Sequence, residues 1–209
     1  MDARLYAAAT QRNREPIVGV LRRVLPPAGT VLEIASGTGE HAVWFAAQLP
    51  GLAFQPSDPD PDNRASIAAW TAFTGVGNVR APLAIDVAAP DWEKAPGVPQ
   101  DVAAVLCINM IHISPWAATL ALLRGAAALL PPGGLLYLYG AYKRGGSHTA
   151  PSNASFDASL RARDPAWGVR DLEAVTAAAA DAGFAPESVV DMPANNLSVI
   201  LRRSTPPME

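Results

Sequence analysis

Three acids and two glycines carry most of the chemistry this sequence can do. Gly37 and Gly39 lie in the run Val31-Leu32-Glu33-Ile34-Ala35-Ser36-Gly37-Thr38-Gly39-Glu40-His41-Ala42. The run reads as a buried strand, a turn of small residues and a helix. The glycines let the backbone turn tightly and approach a ligand closely. The helix leaves free N–H groups facing the turn. Such a strand–turn–helix opens nucleotide-type sites in open α/β sheets. Glu33 lies in the strand itself, and Asp58 and Asp86 close the next two strand-like runs.

Two ligands compete for this turn. Gly37-Thr38-Gly39-Glu40-His41-Ala42 satisfies the loose dinucleotide fingerprint, in which alanine can replace the third glycine. Asp58 stands about twenty residues on, where an acid would grip a ribose. Tyr139 and Lys143 have the Tyr-x-x-x-Lys spacing of short-chain dehydrogenases. An NAD-dependent oxidoreductase is therefore one reading. The Tyr/Lys pair, however, works only on one face of a helix, and here it spans a strand end and a glycine.

Three features favour S-adenosylmethionine. A carboxylate at Glu33 suits the cationic amino group of its methionine part and would repel a pyrophosphate. Asp58 and Asp86 sit where they can serve the ribose hydroxyls and the adenine amine. Alone, each acid reads equally well as a cap, a turn residue or a carboxylate satisfied by backbone N–H groups. The third feature is an antiparallel strand pair at the C-terminal end, unlike an all-parallel dinucleotide sheet. The expected cofactor contacts are Glu33, Ala35, Ser36, Gly37, Thr38, Gly39, Asp58, Pro59, Asp86, Val87, Asn109, Met110 and Ile111.

The elements that must position these residues alternate along the chain. Asn13 is placed to cap a helix with Pro16 in its first turn, and Ile17, Val20, Leu21 and Val24 follow with helical period. Strands are expected at 30–35, 52–56, 79–85, 101–108 and 135–139, with helices between them. Ser114 and Pro115 read as the N-cap and first turn of the helix to about Leu130. This is the pattern of a doubly wound, mostly parallel sheet with helices on both faces. Residues 140–170 break it, with helical character only at 153–163. A helix carrying Leu172, Val175 and Ala179 follows, then strand-like runs at 188–192 and 197–201. The connection 193–196 is too short for a parallel crossover, so these two strands pair antiparallel.

Composition bounds the rest. The 209 residues are 50% hydrophobic and 17% charged, suiting one globular domain over 1–209. A net charge of −3 and the absence of a basic face argue against nucleic acid as a partner. Cys107 is the one cysteine and lies in an apolar run, a buried small hydrophobe rather than half of a disulfide. No apolar run reaches membrane-spanning length and no basic-then-apolar leader opens the chain, so a soluble cytoplasmic protein without membrane partners is expected. No metal site is expected. The sequence leaves oligomeric state open.

On these residues the chain resembles class I S-adenosylmethionine-dependent methyltransferases. Residues 31–39 look like their first motif, with Ala35 for a glycine and Glu33 for an aspartate. Asp58, Asp86, 109–112 and Leu130-Pro131-Pro132-Gly133-Gly134 fall where their later motifs fall. More narrowly, the chain is similar to a methyltransferase-like family long catalogued as a domain of unknown function. The stretches that carry this likeness are 12–17, 55–60, 107–116, 148–153 and 164–171. The resemblance implies a seven-stranded, Rossmann-like sheet whose last two strands form an antiparallel hairpin. It names no substrate.

A methyltransferase needs a base only if the acceptor carries a proton at neutral pH. His112 follows the fourth expected strand, beside the expected sulfur position, and is the candidate base; its alternative role is to hold the loop. The Asn-Pro-Pro-Tyr motif of amide and nucleobase N-methyltransferases is absent, and a small-molecule methyl acceptor fits better. The segment 142–170 is too long and polar for a routine connection and is expected to form a lid over the acceptor. Tyr142, His148, Trp167 and Arg170 are its candidate substrate contacts, with Asn153 a further donor, Tyr6, Arg12 and Asn13 on the opposite wall, and Tyr137 and Tyr139 as further pocket aromatics that read equally as core. A cofactor-binding regulatory module without turnover is the alternative from a different functional class.

Overall fold

The strand ahead of the glycine turn, β1 (Gly29–Ile34), lies inside the sheet and is buried over its last five residues. In the computed structural model, which describes residues 2–205, it pairs in parallel with β2 (Leu52–Pro56) and β3 (Val102–Ile108). β4 (Leu135–Arg144) adds to β3 in parallel. β8 (Asn196–Arg203) pairs antiparallel with β4, and β7 (Phe184–Met192) antiparallel with β8. The order is β2-β1-β3-β4-β8-β7. Two short strands, β5 (Ser147–His148) and β6 (Arg170–Asp171), hang on the end of β4 and bring the count to eight.

The helices are α1 (Ala8–Val24), α2 (Glu40–Gln48), α3 (Pro61–Thr74), α4 (Trp116–Leu129), α5 (Pro151–Arg163) and α6 (Leu172–Asp181). Alternate strand residues face opposite sides of a sheet, and here both sides are covered. Leu32, Ile34, Val105 and Leu138 pack with Leu122 and Val175 from α4 and α6. Val31, Leu106, Tyr137 and Ile200 pack with Ile17 and Leu21 of α1 and Phe45 of α2. This double cover explains why the strand sequences are apolar without alternation.

The structure differs from the sequence expectation at three places. Residues 79–85 touch β2 only through isolated bridges, Phe54 with Val79 and Ser57 with Leu83. Arg80 donates its N–H to Phe54, but Pro82 has none to give. Leu83 bonds Pro56 instead, so the ladder slips at the proline. Second, α1 begins at Ala8, so Asn13 is inside the helix rather than its cap. Its side-chain oxygen lies 2.8 Å from His41 Nε2, a partner supplied by α2. Third, the Ser114 hydroxyl donates to the Met110 carbonyl at 2.8 Å and does not cap α4.

Candidate functional site

The glycine turn is built by the strand ends on either side of it. Ala35 has φ 55°, the left-handed region that costs a non-glycine residue about 1–2 kcal/mol. Gly37 and Gly39 also have positive φ, 56° and 87°. Ser36 ties the turn to the end of β2: its N–H donates to Ser57 O at 2.8 Å, and its hydroxyl accepts from Ser57 N at 3.2 Å. Thr38 donates its hydroxyl to Glu40, whose carboxylate also takes the Ala7 N–H. A Cβ on Gly39 would sit 2.7 Å from Ile67 Cα, whereas one on Gly37 would meet nothing within 4 Å. Gly39 is thus needed for packing, and the space over Gly37 is open.

Asp58 is 4% exposed and holds the turn from the β2 side. Its Oδ2 accepts from Gly37 N at 2.9 Å, and its Oδ1 from Asp60 N at 3.0 Å and Asn63 Nδ2 at 3.1 Å. A carboxylate has about four acceptor positions, so Oδ2 retains capacity for another donor. Glu33 is 2% exposed, and its Oε2 has no hydrogen-bond partner. Burial, with the Asp58 charge adding to it, pushes the Glu33 carboxyl up to about 7. Asp86 is exposed, accepts from Ala88 N at 2.9 Å, and precedes buried Val87; Pro59 is exposed. Asn109 ends β3 at φ 65° and starts the 3-10 turn Met110–His112. Both strand ends beside the turn therefore carry left-handed backbone, as functional sites often do.

A cavity of about 580 Å³ opens past the end of β3 and against the middle of β4, within the range of small-molecule sites. Its walls come from α1 (Arg12, Asn13), the residue after β3 (Asn109), β4 (Tyr139), α5 (Asn153, Phe156) and the β7–β8 turn with the start of β8 (Ala194, Asn196). Asn153 donates to Asn195 O at 2.9 Å, which joins α5 to that turn. The candidate site thus has a glycine-turn half and a cavity half, with Asn109 at the cavity edge.

Of the expected substrate residues, the structure brings Asn13, Arg12, Asn153 and Tyr139 to this cavity. Tyr6 packs edge-on against Trp70 of α3, ring centroids 5.1 Å apart. Tyr142 is fully buried in the sheet because β4 runs on through it. His148 faces Asp157 at 3.3 Å, together with Lys143 and Arg161. Arg163 lies over the Trp167 ring. Arg170 is spent as a brace, donating to the carbonyls of Ile111 at 2.9 Å, Ser114 and Ala166.

His112 is also corrected. It is fully buried, its Nδ1 accepts the Arg170 N–H at 3.3 Å, and burial holds its pKa down at about 3. Nε2 is aimed at the sheet, where a Cβ on Gly140 would come within 2.3 Å of it. The ring joins the insert to the sheet and lines neither half of the site. His41 is similarly buried and held at about 3. The Tyr139/Lys143 pair lies on one strand, about 13 Å apart by strand rise, and Lys143 is engaged with Asp157. The spacing motif is therefore not a short-chain dehydrogenase pair.

Of the cavity residues, the sequence pointed to Arg12 beside Asn13 on one wall, to Asn153 in the insert and to Tyr139 as a pocket aromatic, and not to Phe156 or Asn196. Arg12 and Asn153 lay in stretches that resembled the narrower family, and Phe156 was an isolated apolar residue in a polar helix. Those were the signals available.

The fold is shared with solved methyltransferases. An O-methyltransferase family protein from Burkholderia thailandensis is 20% identical with a TM-score of 0.77, over 94% of this chain and 58% of that one. An O-methyltransferase family 2 protein from Planctomyces limnophilus, in complex with apigenin, is 18% identical with a TM-score of 0.72, over 93% and 61%. Human N-acetylserotonin methyltransferase, in complex with S-adenosylmethionine, is 14% identical with a TM-score of 0.76, over 94% and 53%. The chain spans little more than half the length of these proteins. No helix among the described residues is long and apolar enough to cross a membrane. A family profile described as "Protein of unknown function (DUF938)" matches residues 4–203. With that match and this fold, the chain belongs to the DUF938 family and carries the class I methyltransferase-like fold.

Proposed function

We propose that this chain is an S-adenosylmethionine-dependent methyltransferase acting on a small-molecule acceptor. The observation that carries the reading is Glu33 beside the open turn. A buried carboxylate oxygen without a partner is costly. An ammonium group of the cofactor would supply that partner, and a dinucleotide pyrophosphate would not. The residues present therefore fit the cofactor. Glu33, Ala35, Ser36, Gly37, Thr38 and Gly39 would hold its amino-acid end, Asp58 and Pro59 its ribose, and Asp86 and Val87 its adenine. Asn109, Met110 and Ile111 would flank the transfer point. The names of the structural neighbours, which include small-molecule methyltransferases, support the same reading.

When bound, S-adenosylmethionine supplies an electrophilic methyl group. The chain then has to align the acceptor and exclude water. Asn109 stands at the boundary of both halves and would align. α5, fastened to the β7–β8 turn through Asn153, would exclude water. This makes α5 the working part of the 142–170 segment in its proposed role as a lid. Small-molecule partners alone, with no nucleic acid or membrane, and a cytoplasmic setting complete the proposal.

Isothermal titration with S-adenosylhomocysteine and with NAD tests the reading: micromolar binding of the first and none of the second is expected, and the reverse overturns it. Asp58→Ala removes a charge-assisted acceptor worth roughly 1.5–3 kcal/mol, so affinity should fall about ten- to a hundredfold. Binding without turnover on thiols, amines, phenols and carboxylates would instead support a regulatory module.

The raised Glu33 pKa adds a pH test. Its folded value of about 7 lies above the usual 4.5. The folded state therefore binds this proton more tightly than the unfolded chain. The associated stability is full below about pH 4.5 and lost as pH rises toward 7. The ligand ammonium wants the carboxylate, so S-adenosylhomocysteine affinity should rise from pH 6 to 8. Glu33→Gln should flatten both slopes, leaving a protein more stable at pH 8 but weaker in binding. A wild-type titration flat across that range would remove Glu33 from the site.

A further inference from the structure

Resting on the reading above, we infer that the acceptor is a small carboxylate with an apolar body, gripped by Arg12 in the 580 Å³ cavity. Arg12 is the only charged residue lining it, and it makes no ion pair or hydrogen bond with any described residue. No aspartate, glutamate, histidine, lysine or cysteine lines the cavity. Its remaining polar groups are hydroxyls and the amides of Asn13, Asn109, Asn153 and Asn196. A lone guanidinium among neutral donors fits a single anionic group, since its planar fork matches a carboxylate.

The cavity also lacks a base. The Tyr139 hydroxyl sits beside Asn13 and Arg12, and burial holds its pKa above the ordinary value, so it is a donor. His41 Nε2 is held by Asn13, His112 takes the Arg170 N–H on Nδ1 while its buried Nε2 has no partner, and neither ring lines the cavity. An alcohol or phenol would have to lose its proton to a group the cavity does not offer. A carboxylate is already ionised at neutral pH. Methyl transfer to its oxygen forms one C–O bond, breaks one C–S bond, leaves the electron pair on sulfur and releases no proton. A protonated amine is disfavoured by the guanidinium.

A further observation points to a ligand with an apolar body. Ile113 and Phe156 line the cavity while 41% and 36% exposed, apolar surface that a ligand would cover.

The test uses three probes with one body and different heads: phenylacetate, 2-phenylethanol and 2-phenylethylamine. Each is titrated into the full chain with saturating S-adenosylhomocysteine and again without it. Phenylacetate should bind about tenfold or more tighter than the alcohol, and the amine weakest. Arg12→Met, on an exposed side chain, should erase the preference, and Arg12→Lys should restore part of it, both leaving S-adenosylhomocysteine affinity within a few fold. Equal binding of the three, binding of none, or a preference that survives Arg12→Met overturns the inference. Failure of S-adenosylhomocysteine to bind while the preference stands overturns the methyltransferase reading instead. With labelled S-adenosylmethionine, the methyl should be recovered from a panel of aryl carboxylic acids as alkali-labile methanol, which ethers, thioethers and amines do not release.

Discussion

Gly39→Ala is expected to weaken binding of the proposed cofactor at least tenfold and to destabilise the fold by about 2–5 kcal/mol. The figure combines a left-handed backbone penalty of about 1–2 kcal/mol with overpacking of about 1–3 kcal/mol. The overlap is with backbone, Ile67 Cα at 2.7 Å, so no rotamer change relieves it. Either the turn or α3 has to move, and α3 carries Asn63, which bonds Asp58. Gly37→Ala separates folding from binding. Its methyl enters open space, so only the backbone penalty falls on the fold. In the proposed binding mode the same methyl would stand where the cofactor comes close. Chemical denaturation should show a small loss for Gly37→Ala and a large one for Gly39→Ala. Titration with S-adenosylhomocysteine should show at least tenfold weakening for both. Undiminished binding in Gly37→Ala would mean that the ligand lies elsewhere.

His112→Ala costs about 2–4 kcal/mol of stability, because a fully buried ring is removed and the Arg170 N–H loses its acceptor. The void opens against Tyr142, whose ring centroid is 5.0 Å away, and Gly140. The variant should therefore melt lower while S-adenosylhomocysteine affinity changes little. His112→Gln or His112→Asn should recover part of the loss by restoring an acceptor. The sign of the pH effect is set by burial. A folded pKa of about 3 lies below the ordinary 6.5, so the unfolded chain binds the proton more tightly. The neutral ring's contribution is full above about 6.5 and lost as pH falls toward 3. His41 acts in the same direction from the other side of the sheet, and Glu33 in the opposite one. The acid limb of the stability profile should be shallower in the His112 variants. An unchanged melting temperature with a large drop in turnover would instead return His112 to the role of base.

The histidine shows where sequence reading stops. Its position after β3 was legible, since an apolar run marks a buried strand and its end marks the ligand side. Its orientation was not. Residues 168–170, almost sixty positions on, fold back over it and use its nitrogen and its carbonyl. Asn13 is similar. A polar residue ahead of a proline reads locally as a cap, but α2 supplies His41 as its partner and the helix continues through it. The strand at 79–85 failed for a local reason that the sequence did contain: Pro82 cannot donate to a ladder.

By itself the sequence determined the glycine turn, the alternation of strands and helices, the C-terminal hairpin and the acids at the ends of β1 and β2. These depend on backbone freedom, hydrophobic period and connection length, all of which act within about a dozen residues. The tertiary structure alone decided which of the candidate side chains share the cavity. Its walls come from α1, the end of β3, the middle of β4, α5 and the β7–β8 turn, running from Ala9 to Asn196 in the chain. Periodicity says that a helix has an outer face, but not what that face looks onto. Packing against a distant element settles that, and so it turned Arg12 into the cavity while burying Tyr142 and His112.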